Sequence, residues 1–437
     1  MAKGRIHVYV GPTCPAEEIR ERFPEVVTHP PVSHGDFFSP QLVPGDVAVV
    51  IDGFYHHRLG ARHKEYLHAL DRGVTVIGAA SIGALRAVEL SAFGMRGFGA
   101  VHELYRSGVF DGDDAVAVAH QEEAPYASLS VPLVNLRAAA QAARAAGLLA
   151  RGEADGVVAA LRREYYPSRT PARVRHILRG TCGNELAQWY ERQLADDPYV
   201  FDQKRWDCLA ALAAARHLLA DGAVGKVTGA GVAEWRTVFL RTWSNHFAGL
   251  TGTPPLAQRL AHQQIFNRDY AHVWERYLEA TYTRHGPNPD GKQRGGLAES
   301  LSARIGVEDF PPGAAREKAE WLFDFVCPVP DLSDPREVEL LLSAEEPSDV
   351  ETVALHLRQM REFARLNTDH ARRNVPDVLS EEASRLLLCQ LWGIASAQLA
   401  RACRSRGIPN IRTAVRILQP FIVGAIKERK HLRAESA

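Results

Sequence analysis

The chain has 437 residues, of which 46% are hydrophobic and 24% charged. This length favours two domains, and the composition is that of an ordinary globular protein. Basic and acidic residues both number 52, so no net charge attracts nucleic acid or an anionic membrane. The amino terminus lacks the apolar core of a signal peptide, and no apolar run is long enough to span a bilayer. We therefore expect a cytoplasmic protein without nucleic-acid or membrane partners.

Short apolar runs alternate with helical segments in the first part of the chain. Residues 6–10, 46–51 and 74–77 are typical of buried strands, and residues 16–23 and 58–71 are typical of helices between them. Strands joined by helices of this length predict a parallel sheet with flanking helices, a Rossmann-like α/β fold. Ligands of such sheets bind beyond the carboxyl ends of the strands.

The later sequence is helical in pattern. Residues 137–150 and 202–219 predict helices, and no strand pattern is present beyond residue 225. We expect a first domain over residues 1–225, α/β with a helical distal part. An all-helical domain of unknown role is expected over residues 226–437.

Ser81 lies where the strand-like run 74–77 turns through small residues into a helix. The sequence Ala79-Ala80-Ser81-Ile82-Gly83 is close to the Gly-x-Ser-x-Gly corner of hydrolases, with alanine in place of the first glycine. A serine held at such a corner can be a nucleophile, and the N–H groups that begin at Ile82 can stabilise an oxyanion or bind an anion. The alternative is that Ser81 only caps the helix.

Other loops should reach the same edge of the sheet as Ser81. Gly11 and Thr13 follow the first predicted strand, and Asp52 follows the second. Because the carboxyl ends of parallel strands lie at one edge, these segments are expected to line one crevice with Ser81.

His63 and Lys64 are candidate bases in the predicted helix 58–71. Leu59, His63, Tyr66, Leu67 and Leu70 fall on one helical stripe, which would turn His63 toward the sheet. His63 or Lys64 could then activate Ser81. The alternatives are a hydrogen-bonded core histidine and an exposed lysine, and the sequence does not choose between them.

Arg86 follows Ser81 by about one helical turn, and Glu89 is three residues further on. Arg86 could neutralise an anion bound near Ser81, with Glu89 as its partner. An ordinary surface ion pair is the alternative.

Acidic residues also precede the run 115–119, which has the pattern of a strand. Asp111 is expected in a turn, whereas Asp114 is left open between a turn and a carboxylate that supports a base.

No metal or other cofactor is indicated by the sequence. His56 and His57 lack the spacing to a further ligand that a helical metal site shows. The six cysteines include no Cys-x-x-Cys pair. Cys14 follows the first strand, and we favour a packing role for it.

Several local patterns together resemble the TfuA family over about residues 5–220. They are, in chain order, Gly11-Pro12-Thr13, Ile51-Asp52-Gly53, His63-Lys64-Glu65, Gly78 to Leu90, Phe93 to Gly99, Tyr105-Arg106-Ser107-Gly108, Asp113-Asp114 and the distal Asp202 to Asp207. Ile82 stands where methionine is usual in such motifs. The resemblance does not extend to residues 226–437.

The resemblance implies a partner of a YcaO enzyme in peptide backbone thioamidation. It implies sulfur delivery by hydrolysis of a thiocarboxylate on a ubiquitin-like sulfur-carrier protein, with the precursor peptide as a further partner. A non-catalytic adaptor that brings YcaO and the carrier together is the alternative. The positions that match the family are Asp52, His63, Lys64, Glu65, Ser81, Arg86 and Glu89.

Overall fold

The computed structural model describes residues 4–54, 59–121, 123–224, 237–248, 254–284, 328–367 and 380–435. The chain forms two compact units, Met1–Thr237 and Val238–Ala437. His56, His57 and the predicted helix start at Arg58 lie outside the described residues.

A five-stranded parallel sheet forms the centre of the first unit, with strand order β2-β1-β3-β4-β5. The strands are β1 (Ile6–Tyr9), β2 (Val26–His29), β3 (Val47–Val50), β4 (Thr75–Ala79) and β5 (Arg96–Phe98). Apolar side chains bury the central strands on both faces, as a parallel sheet covered by helices requires. The predicted α/β fold is confirmed, and the predicted strands correspond to β1, β3 and β4.

Eight helices accompany the sheet in the described part of this unit. They are α1 (Ala16–Arg22), α2 (His63–Asp71), α3 (Ile82–Glu89), α4 (Ala100–Arg106), α5 (Leu133–Ala145), α6 (Arg151–Arg162), α7 (Pro171–Asp196) and α8 (Gln203–Ala220). Helix α7 is kinked at Cys182 and Gly183. Helix α5 starts earlier than predicted, after Pro132, and ends before Gly147, whose φ of +77° suits a helix terminus.

The expected strand at residues 115–119 is wrong. Asp113–Ala115 forms a single 3-10 turn instead. The side chain of Arg169 fixes this turn, because it donates to the Asp114 carbonyl at 2.7 Å and to the Asp114 carboxylate at 3.0 Å. The Asp114 carboxylate is therefore an anchor for the turn, and the exposed Asp111 pairs with Arg162.

A segment that we call the strap follows this turn and comprises residues 117–121 and 123–130. His120 and Ser128 form an antiparallel bridge within it. The Leu129 N–H donates to the Ala119 carbonyl at 2.7 Å, and the Ala119 N–H donates to Ser130 Oγ at 2.8 Å. The strap is thus a short, internally hydrogen-bonded hairpin.

Helices form all of the regular secondary structure described in the second unit, apart from short 3-10 turns. They are α9 (Val238–Ala248), α10 (Leu256–Phe266), α11 (Tyr270–Arg284), α12 (Pro335–Leu341), α13 (Pro347–Asn367), α14 (Glu381–Trp392), α15 (Leu399–Arg404), α16 (Ile411–Leu418) and α17 (Ile422–Glu435). The predicted all-helical carboxyl-terminal region is confirmed. Across the described ranges, no single helix is long and apolar enough to span a membrane. One pair of segments, α14 and Ser396–Arg404, has that length and apolarity when the two are taken together, but the pair is bent by 90°.

Candidate functional site

Ser81 lies at the junction of β4 and α3, where the chain turns sharply. Ala80 has φ of +65°, which is unusual for a residue with a side chain. Ser81 occupies the N-cap position and is 6% exposed, but its hydroxyl makes no capping hydrogen bond. Within the described ranges the hydroxyl has no hydrogen-bond partner, so helix capping does not account for a serine at this position.

The glycines around Ser81 allow backbone segments to approach closely. A Cβ on Gly83 would lie 1.9 Å from the Val50 carbonyl oxygen, and a Cβ on Gly78 would lie 2.0 Å from the Gly83 carbonyl oxygen. The Gly83 N–H donates to the Ile51 carbonyl at 3.2 Å. This N–H is therefore used in packing α3 against β3, and the Ile82 N–H is the one left at the helix start without a backbone partner in the described part of the chain.

Asp52 fastens the loop after β1 to the end of β3. Its Oδ2 accepts the Gly11 N–H at 2.9 Å and the Thr13 N–H at 3.0 Å, and its Oδ1 accepts the Thr13 hydroxyl at 2.6 Å. Asp52 and Thr13 are buried. The N–H of Gly11 is therefore committed to this carboxylate and is not free to bind an anion.

Lys204 brings a positive charge to Asp52 from α8. Its Nζ lies 3.7 Å from Asp52 Oδ1 and donates to the Val116 carbonyl at 3.0 Å. Only 2% of Lys204 is exposed. Burial lowers the pKa of the Lys204 ammonium, and the Asp52 carboxylate opposes this shift.

Two neighbours of Lys204 hold the start of α8 in place. Arg205 Nε donates to Glu18 Oε2 on α1 at 3.1 Å. Asp207 accepts the Val101 N–H at the start of α4 at 2.7 Å. Because both contacts are made near the start of α8, they set the position from which Lys204 reaches the edge of the sheet.

Ser81, Asp52 and Lys204 share a cavity of about 70 Å³ at the carboxyl edge of the sheet. Its remaining wall comes from the loop after β1, the loop after β3, the segment around the Asp113 turn and the strap. The complete lining is Pro12, Asp52, Gly53, Phe54, Ser81, Ile82, Asp113, Val116, Ala117, Val118, His120, Tyr166 and Lys204. The structure thus brings together the three loops that the sequence predicted to meet.

His120 is the histidine in the wall of this cavity. Its Nδ1 lies 2.6 Å from the Gln121 carbonyl oxygen, which can only accept a hydrogen bond. The Nδ1 therefore carries the proton, and Nε2 of the neutral ring is an acceptor. The sequence reasoning missed both His120 and Lys204, although Lys204 lies within the distal motif Asp202 to Asp207.

His63 does not face the sheet, so this prediction is wrong. Helix α2 begins at His63, and Leu59 precedes the helix and is 64% exposed; the buried residues at the start of α2 are Glu65 and Tyr66. The Glu65 carboxylate accepts the Gly35 N–H at 2.7 Å and the Arg62 N–H at 2.8 Å. These bonds turn the other side of the helix start, which carries His63, toward solvent.

His63, Arg86 and Glu89 form a separate, half-exposed cluster. His63 Nε2 lies 2.8 Å from Glu89 Oε2 and 3.3 Å from Arg86 Nη1, and Arg86 pairs with Glu89. Lys64 donates to the Thr237 hydroxyl at 3.0 Å. None of these side chains lines the cavity that contains Ser81.

Cys14 is fully buried, as its expected packing role requires. Its contact with Cys208, together with burial, raises the pKa of the Cys208 thiol. Within the described ranges, no group of three or more His, Cys, Asp and Glu side chains is arranged to hold a metal ion.

Comparison with known proteins finds a family match for the region that forms most of the cavity wall. Residues 52–170 match the family model described as TfuA-like protein. The matched region includes Asp52, Ser81 and His120, and Lys204 lies beyond its end. A search of the curated proteins found no match to the chain. The family match supports an association with YcaO-dependent thioamidation and implies a YcaO partner. Residues 52–170 of this chain are a TfuA-like region, as the motifs in the sequence indicated.

Proposed function

We propose that this protein delivers sulfur for YcaO-dependent peptide thioamidation by hydrolysing the thiocarboxylate of a ubiquitin-like sulfur-carrier protein. The observation that carries this proposal is the uncommitted hydroxyl of Ser81, held at a strained strand-to-helix corner inside a cavity. The same wall contains a histidine acceptor and a buried cation. A nucleophile, a base and positive charge are the parts that acyl transfer needs.

The reaction proceeds through an acyl-enzyme. Ser81 Oγ attacks the thiocarboxylate carbon, the new C–O bond forms, and the C–S bond breaks. The hydroxyl proton passes to the departing sulfur, which leaves as hydrosulfide. Water then attacks the ester, which regenerates the Ser81 hydroxyl and releases the carrier as a carboxylate with one proton. No oxidant or reductant is needed.

His120 is our candidate for the base that moves the Ser81 proton. The hydrogen bond from Nδ1 to the Gln121 carbonyl holds the tautomer in which Nε2 can accept. His120 and Ser81 line the same cavity. His63 and Lys64, the bases expected from the sequence, have partners elsewhere.

Lys204, Asp52 and the Ile82 N–H have supporting roles in this proposal. A thiocarboxylate is an anion, and the Lys204 ammonium supplies positive charge at the cavity wall. Asp52 positions Lys204 and the loop at Gly11 to Thr13. The Ile82 N–H, at the start of α3, can stabilise the charge that develops on the attacked carbonyl oxygen.

Intact-mass analysis of a thiocarboxylated carrier tests this function. The carrier is incubated with the protein alone, and Ser81→Ala is the matched control. We expect the carrier mass to change from thiocarboxylate to carboxylate with the unmodified protein and to stay unchanged with Ser81→Ala. A carrier that stays unchanged with both proteins, alone and after YcaO is added, would support the adaptor role instead.

A further inference from the structure

A second cavity, of about 280 Å³, adjoins the one that contains Ser81. The two cavities share Pro12, Val118 and Lys204 in their walls. The strap contributes to both, through Val118 and His120 on one side and through Val118 and Ser128 on the other. A molecule that fills the larger cavity can therefore extend past Lys204 toward Ser81.

The charged side chains in the wall of the larger cavity are Asp202 and Lys204, and both have partners within the protein. Asp202 Oδ1 accepts a hydrogen bond from Asn135 Nδ2 at 2.9 Å, and Lys204 Nζ donates to the Val116 carbonyl at 3.0 Å. The same wall includes Pro132, Pro171 and Pro198. This lining suits an uncharged, mostly apolar occupant.

Val118 presents free backbone groups at the junction of the two cavities. In the part of the chain that the structure describes, its N–H and C=O have no hydrogen-bond partner, whereas Ala119 next to it bonds to Leu129 and Ser130. A backbone donor and acceptor beside an uncharged cavity match the hydrogen-bonding groups of an extended peptide. A small free thioacid has no peptide groups to pair with the Val118 N–H and C=O.

We propose that the 280 Å³ cavity is a tail subsite, which binds the extended, uncharged peptide segment that precedes the reacting acyl group. This inference rests on the proposed function, since it assigns the reacting group to the Ser81 cavity. The substrate class is then a peptide or protein that ends in a flexible tail with a terminal thioacid.

A substrate-length series on the unmodified protein is the first test. Sulfide release is measured from a one-residue glycine thioacid and from a five-residue peptide of glycine and alanine that ends in the same thioacid. We expect kcat/KM to be at least tenfold higher for the longer substrate, mainly through KM. Equal values for the two substrates would overturn the subsite.

Peptide binding provides a test that does not depend on hydrolysis. A fluorescein-labelled five-residue glycine–alanine peptide with a terminal carboxylate is titrated into Ser81→Ala protein, and its anisotropy is followed. Ser128→Trp places a large ring at the exposed wall of the tail subsite. Ala127→Trp, the adjacent exposed position that lines neither cavity, is the matched control.

We expect Ser128→Trp to weaken peptide binding at least tenfold and Ala127→Trp to leave it unchanged. Equal binding by the two variants would overturn the subsite. If the peptide binds in this pattern but no thioacid releases sulfide, the subsite stands and the hydrolytic function fails. If sulfide is released without any dependence on length, the function stands and the subsite fails.

Discussion

The Asp52 carboxylate and the Lys204 ammonium lie 3.7 Å apart in the interior, although Asp52 follows β3 and Lys204 lies in the first turn of α8. Both are almost completely buried. The pair joins the carboxyl edge of the sheet to the helix that closes the Ser81 cavity. A buried charge needs its partner, so each of these residues constrains the other.

Asp52→Asn should destabilise the protein. The substitution removes the counter-charge of the buried Lys204 and, with the amide oxygen accepting the N–H groups of Gly11 and Thr13, turns amide hydrogens toward the Lys204 ammonium. Breaking a buried ion pair typically costs about 3 kcal/mol. We expect the free energy of unfolding to fall by about that amount in urea titrations.

Asp111→Asn is the matched control for this substitution. Asp111 forms an ion pair with Arg162, and its side chain is 81% exposed. Exposed pairs contribute little, so the loss should stay below about 0.5 kcal/mol. Equal losses for the two variants would contradict a structural role for the Asp52–Lys204 pair.

Gly83→Ala should also destabilise the protein, because its Cβ would overlap the Val50 carbonyl oxygen. Forced overlap of this kind typically costs about 1–3 kcal/mol. Gly156 in α6 is exposed and has open space around it, so Gly156→Ala should stabilise by about 0.5–1 kcal/mol. Thermal unfolding of the two variants measures both effects. A stabilised Gly83→Ala protein would show that α3 does not pack closely against β3.

The central strands of the sheet could be predicted from the sequence because they are buried on both faces and therefore continuously apolar. The edge strands β2 and β5 could not. Thr28 and His29 in β2, and all three residues of β5, are only partly buried, so neither strand has the apolar pattern of β1, β3 and β4.

The candidate site was only partly predictable. The strand ends placed Asp52 and Ser81 together, since parallel strands share a carboxyl edge. The positions of Lys204 and His120 depend on tertiary packing, which local sequence patterns do not show. A buried lysine looks the same in sequence as an exposed one, and the first residues of the strap had the pattern of a strand. The prediction that His63 faces the sheet was wrong because the hydrogen bonds of the buried Glu65 carboxylate set the orientation of the helix start.

Ser81→Ala should separate stability from activity. Replacing a capping serine usually costs about 1 kcal/mol, but the Ser81 hydroxyl makes no capping bond. We expect the free energy of unfolding to change by less than about 0.5 kcal/mol while sulfide release falls at least a hundredfold. Urea unfolding and sulfide release are measured on the same preparation. A large loss of stability would instead assign Ser81 a structural role.

His120→Gln and His63→Gln distinguish the two candidate bases. His120 lines the Ser81 cavity, whereas His63 contacts Arg86 and Glu89 in another cluster. Loss of a general base typically costs about 10²- to 10⁴-fold in rate. We expect that loss in kcat for His120→Gln and less than about a threefold change for His63→Gln. The reverse order would restore His63 as the base.

The stability of the second unit should fall in acid because of His262. Burial among Phe266 and Phe421, together with the charge of neighbouring His356, lowers the pKa of His262 to about 4. The unfolded chain therefore binds a proton near pH 6.5 that the folded unit does not accept until about pH 4. The contribution of His262 to the free energy of unfolding is complete above pH 6.5 and is lost as the pH falls toward 4.

His262→Phe should remove this dependence. For one such group, the free energy of unfolding should drop by about 2 kcal/mol between pH 7 and pH 5. Urea unfolding of the full chain at the two pH values measures the difference between the unmodified protein and His262→Phe. An equal drop in both proteins would show that His262 does not titrate as its burial requires.

Sulfide release from a thiocarboxylated sulfur-carrier protein, compared between the unmodified protein and Ser81→Ala, tests the central claim most directly. The account predicts rapid release of one sulfide for each carrier converted to carboxylate, and release at the uncatalysed rate with Ser81→Ala. Release at the same rate from both proteins would contradict Ser81 as the nucleophile.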